Sequence, residues 1–179
     1  DEAHLPGFKE LSEIITSSTN KHLTTTIKRF DDAYYMTQPV LATAHAIEDI
    51  FRDINENLPA DSAISKQGGQ AIINHYKYLS KEKFGFKVSA QSSLKSLGFS
   101  LLEKEPKKAL KVLSMAIKEY PESTFSYSAL AKAHFQLAQF KKAILFQKIS
   151  VEKSKKLIPW HQRKQAEYLA KYQQAAKLD

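Results

Sequence analysis

"ALKVLSMAIKEYP" (Ala109–Pro121) decides how this chain folds. Ala109, Leu113 and Ala116 recur at i, i+4 and i+7, which is one face of an α-helix. Small residues at that spacing let a second helix come close, and larger residues fill the space around the contact. Pro121 marks the helix end. The pattern then begins again, because Ala143 lies 34 residues after Ala109.

Helical patterns extend in both directions from this stretch. "SAQSSLKSLGFSLLEK" (89–104) carries Leu94, Leu97, Leu101 and Leu102, with Ser89 as its expected N-cap. "STFSYSALAKAHFQLAQF" (123–140) and "KKAILFQKISVEKSKKL" (141–157) form a second pair. "GQAIINHYKYLSKEKFG" (69–85) places Ile72, His75/Tyr76 and Leu79 on one face and ends at Gly85, a good C′ residue. "PWHQRKQAEYLAKYQQAAKL" (159–178) has Pro159 in its first turn.

Two helix pairs returning at about 34 residues resemble the tetratricopeptide repeat. In the first unit Leu97-Gly98 and Leu101 match the Leu-Gly and aromatic positions of the first helix. Ala109, Leu113, Ala116 and Pro121 match the alanine, aromatic, alanine and proline of the second. In the second unit Tyr127, Leu130-Ala131 and Ala143 match, with Ala131 in place of the glycine, while Gln147 and Ser150 depart from the aromatic and the alanine. The first hairpin is one residue short, since Gly98 to Ala131 is 33. Two units are fewer than a freestanding solenoid needs, so helix 70–84 and the polar-faced last helix are expected to cap them.

The repeat register implies a peptide groove lined by the first helices. Lys95, Phe99, Ser128, Lys132 and Phe135 would face it, and the two lysines and two aromatics suit an acidic, partly apolar segment. The chaperone-tail clamp of some repeat proteins needs an asparagine where Phe99 stands. The alternative occupant is a neighbouring segment of the protein itself.

Residues 1–60 read differently. They hold 5 Lys+Arg against 10 Asp+Glu, while residues 61–179 hold 22 against 9. The composition breaks at "NENLPADSAISKQGGQ" (55–70), a run of turn formers. "FKELSEII" (8–15) is a short amphipathic helix, and "HLTTTIKRF" (22–30) is β-branched and predicts a strand. "ATAHAIEDIFRDI" (42–54) predicts a helix with Ala44, Ile47, Ile50, Phe51 and Ile54 inward. Helix, strand, helix is a slice of an α/β layer, and a lone strand needs neighbours. Pairing of two copies along residues 23–30 would supply one.

The run "TTTIKRFDDAYYMTQPVLATAHAIEDIF" (24–51) resembles the end of an enterochelin-esterase-like α/β-hydrolase. Residues 72–123 resemble the helical tail of some members. The resemblance implies an upstream hydrolase domain as the natural partner. It puts Tyr35 at the family's catalytic histidine position, and tyrosine, with an ordinary pKa of about 10, is no near-neutral base. No G-x-S-x-G occurs, so no catalytic residue is assigned. His4, the nearest other histidine, has no serine placed beside it and reads as a solvated terminal residue.

Other chemistry is sparse. The histidines are scattered, with no H-E-x-x-H, and there is no cysteine, so no metal site or cofactor is assigned. His45 and Asp49 read as an exposed ion pair, and Asp31-Asp32 as turn chemistry. The positive charge of the second part is nearly all lysine, with Arg163 its single arginine, which suits solvated helix faces better than nucleic acid. No run of about 18 apolar residues occurs, so no membrane helix is expected. The chain starts Asp-Glu without Met, so it is expected to come from something longer, and its compartment stays open between cytoplasm and periplasm.

The expected fold is therefore mainly α: about two tetratricopeptide-like hairpins with capping helices over 61–179, preceded by a hydrolase remnant over 1–60. The favoured function is a non-catalytic interaction or substrate-covering module at the C-terminal end of an esterase. The alternatives are a working serine hydrolase in the full-length parent and a lysine-rich binder of acidic surfaces or nucleic acid.

Overall fold

Proline and glycine punctuate the helices of the second half where the sequence places them. A computed structural model describes residues 5–20, 25–55 and 57–178. Its helices are α1 (Leu5–Thr16), α2 (Gln38–Asn55), α3 (Gly69–Tyr78), α4 (Gln91–Leu101), α5 (Pro106–Glu119), α6 (Thr124–Gln136), α7 (Phe140–Ser154) and α8 (Pro159–Ala175). No strand occurs among the described residues, so the fold is mainly α. Pro106 opens α5 and Pro159 opens α8, where a missing N–H costs nothing. Helix α3 runs on into a π turn (Leu79–Lys83) and stops before Gly85, whose φ of +70° suits glycine.

The chain divides into two compact units, residues 1–52 and 53–179. In the second, each helix packs on the next from α3 to α8, and α4 also touches α6. Leu94 and Leu97 of α4 share a core cluster with Val112 and Ala116 of α5, while Leu102 clusters with Ala109 and Leu113. The start of one helix thus meets the end of the other, so the pair is antiparallel. The α6–α7 pair is antiparallel too: Ala131 meets Ala143, and the Ser150 hydroxyl donates to the Thr124 carbonyl at 3.0 Å.

The small residues sit at the closest approaches. Ala109, Ala131 and Ala143 are fully buried, and Ala116 nearly so. A Cβ built on Gly98 would lie 2.6 Å from both Cγ and Cδ2 of Leu113. The turn-rich run before α3 is part of this unit, with Leu58 and Ile64 packed on the first cluster. The Leu58 amide donates to Ser93 Oγ at 3.0 Å, and Ser93 in turn pairs with the buried Tyr76 hydroxyl at 2.8 Å.

The first unit corrects two expectations. Residues 25–30 form no strand, and the rest of the expected pairing segment, from 23, lies outside the described residues. A strand needs a ladder partner for its backbone groups. None is offered among the described residues, and this segment stays mostly exposed to water. The α/β remnant is accordingly not shown over 25–30. The second correction concerns α2, whose expected inward face is turned out: Ile47 and Ile50 are 53% and 54% exposed. Amphipathic spacing fixes which residues share a face, but burial needs an opposing layer. Ile54 alone of that face packs on a core cluster.

Candidate functional site

The five positions lie on α4 and α6, where Lys95 and Lys132 are exposed and Phe99, Ser128 and Phe135 are half-buried. Lys95 and Phe99 stand one turn apart on α4, and Ser128, Lys132 and Phe135 lie along one face of α6. Lys95 and Lys132 are exposed, and neither forms an ion pair among the described residues. The Lys132 ammonium lies 5.2 Å from the centre of the Phe99 ring. Groups that are 33 residues apart in sequence thus meet across the two helices. Ser128 is half-buried beside them.

Phe135 is engaged by the chain itself. The Tyr172 ring of α8 stacks on it at 4.5 Å, the Lys171 ammonium lies 5.4 Å from its centre, and Phe140 approaches to 5.6 Å. Tyr172 is buried, which pushes its hydroxyl up to about 12, and the neighbouring Tyr168 adds to the effect.

Helix α8 is seated by polar groups. Gln147 Nε2 donates to the Gln165 carbonyl at 2.9 Å and to Gln165 Oε1 at 3.0 Å. The Ser150 hydroxyl also lies 3.0 Å from Gln165 Oε1. All three side chains are buried. Gln147 and Ser150 are the two departures from the repeat pattern, and both place donors at Gln165. On the neighbouring face His134 stacks on Phe146 at 5.4 Å and pairs through Nδ1 with Gln139 Oε1 at 2.7 Å. Burial holds its pKa below the ordinary value, with Lys142 acting in the same direction and the Gln139 bond opposing.

Three residues near these positions were not picked out by the repeat register. Phe125 lies on the α6 face of Ser128 and Lys132, His161 of α8 stands beside it, and Trp160 stands beside His161. The i, i+3, i+7 spacing of 125, 128 and 132 signals the first. Nothing in the spacing signals the contact with α8.

The remaining candidates do not form a reaction centre. Tyr35 is 83% exposed in a turn before α2, and His4 lies outside the described residues. Asp31 accepts from Arg29 at 2.7 Å, in a turn as the sequence implied. An open hollow of about 750 Å³ lies there, lined by Arg29, Asp31, Asp32, Tyr34 and Thr37 among others, with no histidine in its wall. The expected His45–Asp49 pair is replaced: His45 Nδ1 pairs with Glu48 at 3.2 Å, and Asp49 pairs with Arg52. Both partners are three residues away, closer along the helix than the four-residue pair. No three His, Asp or Glu side chains converge among the described residues. No helix among them is long and apolar enough to cross a membrane.

Comparison with protein-family models, with curated proteins and with solved structures gives no match.

Proposed function

We propose that the second unit is a non-catalytic, tetratricopeptide-like interaction module that takes an acidic, partly apolar peptide segment across α4 and α6. The observation that carries this reading is the meeting of Lys132 with Phe99, beside the unpaired Lys95. A half-buried ring with a cation held over it offers an apolar surface to a side chain and a charge to a carboxylate. Exposed ion pairs contribute little, about 0–1 kcal/mol each. The rings therefore supply most of the affinity, and the lysines select for acidic partners and speed encounter. In the parent protein this module would follow an esterase-like domain, a proposal supported by the sequence of residues 24–51 alone.

The test is fluorescence anisotropy with labelled peptides of mixed Asp, Glu and Leu or Phe. The double variant Lys95→Ala/Lys132→Ala is expected to weaken binding about tenfold, in line with about 0.7 kcal/mol per lysine. Unchanged affinity in that variant would reject the groove.

A further inference from the structure

We infer that the ligand is bipartite, with an aromatic or large aliphatic anchor seated at Phe125, His161 and Trp160 and its carboxylates at Lys95 and Lys132. This rests on the groove reading above and narrows it. The His161 ring stands edge-on to Phe125 at 5.2 Å and to Trp160 at 4.9 Å, joining α6 to α8. Phe125 is 41% and Trp160 53% exposed. Single exposed apolar residues are ordinary, but three rings from two helices linked through His161 form a patch of the kind that dominates binding energy.

The place of the patch specifies the ligand. Phe125 lies two turns before Lys132 on the same α6 face, about 10 Å along the axis at about 1.5 Å per residue. An extended peptide covers that distance in about three residues. The anchor therefore stands about three residues from the nearest carboxylate. The unpaired lysines beside the patch select an acidic peptide over a neutral one.

Trp160 is the single tryptophan of the chain, so its emission reports on this patch directly. Three tryptophan-free peptides serve as probes: one with a Phe three residues from an Asp-Glu pair, one with that Phe replaced by Ser, and one with the Phe moved eight residues away. On the full chain the first is expected to shift Trp160 emission to the blue. It should bind at least tenfold tighter than the other two, and Phe125→Ala should remove that advantage. If all three bind alike and depend on Lys95 and Lys132, the anchor is wrong and the groove stands. If none binds, both fall. If Trp160 responds to phosphatidylserine vesicles and to no peptide, the patch meets a lipid surface and the inference is overturned. The peptide series on the unmodified protein decides the matter even if a variant misfolds.

Discussion

Replacing Gly98 by alanine separates a close helix contact from an ordinary helical glycine. In an exposed helix interior the change stabilises by about 0.5–1 kcal/mol, because glycine loses more backbone entropy on folding. Here the new methyl would lie 2.6 Å from Leu113 Cγ and Cδ2. Leu113 is fully buried, so its side chain can yield only by shifting against its neighbours. Overpacking of this kind costs about 1–3 kcal/mol. The net expectation is a loss of up to about 2.5 kcal/mol, or up to roughly 10 °C in Tm for a chain of this size. The same change in a Leu113→Ala background removes the clash and should stabilise by about 0.5–1 kcal/mol. Leu113→Ala alone costs about 2–5 kcal/mol, so the cycle is best followed by urea unfolding. A rise in stability on Gly98→Ala in the unmodified chain would refute the close approach of α4 and α5 at this point.

Three further outcomes follow from the packing. Ala116→Leu should cost about 1–3 kcal/mol, read as a drop in the urea midpoint, and no change would mean that Ala116 faces solvent. Gln147→Leu should cost about 0.5–1.5 kcal/mol by removing its hydrogen bonds to Gln165, whereas Gln147→Leu/Gln165→Leu should cost less than the sum of the two single changes; additive losses would deny that they act as one network. His134 is held below its ordinary value of 6.5, so the folded state binds its proton less readily than the unfolded one. Its contribution is present above pH 6.5 and is lost as pH falls below it, so His134→Gln should flatten the drop in urea midpoint between pH 7.5 and 5.5. Equal slopes would show that His134 titrates as freely as in the unfolded chain. Glu122, whose pKa is lowered from 4.5 by its Lys153 hydrogen bond, acts at lower pH and does not confuse that window.

What the sequence made legible is what local spacing controls. Ala109 and Ala116 fall on a buried face because 3.6 residues make a turn, and Pro106, Gly85 and Pro159 mark helix ends through their own backbone limits. Gln147 shows the limit of that reasoning. The register marked it as a departure from an aromatic position, but its partner, Gln165, is 18 residues away on another helix. Periodicity tells which side of a helix is covered, not which polar atoms meet there. The strand failed for a related reason. Thr25, Thr26 and Ile27 have the β-branched character of a strand, but a ladder is a property of two segments, and propensity describes one. The outward face of α2 repeats the point, since apolar spacing sets which residues share a face and does not itself supply an opposing layer. Lys95 and Phe99 on α4, and Ser128 and Lys132 on α6, share helix faces that spacing makes legible, and the same spacing reaches Phe125. The contact of Phe125 with His161, and through it with Trp160, was not legible, because it joins two helices.

The most direct measurement is the map of backbone amide shifts in a ¹⁵N-labelled chain as an acidic, Phe-bearing peptide is added. Saturable shifts gathered at Lys95, Phe99, Ser128 and Lys132 are expected, with the exposed lysines of α5 and α7, such as Lys107, Lys111, Lys141 and Lys148, left unmoved. Shifts confined to those α5 and α7 lysines would mean that the peptide meets general positive charge on the opposite helices, and the groove would be contradicted.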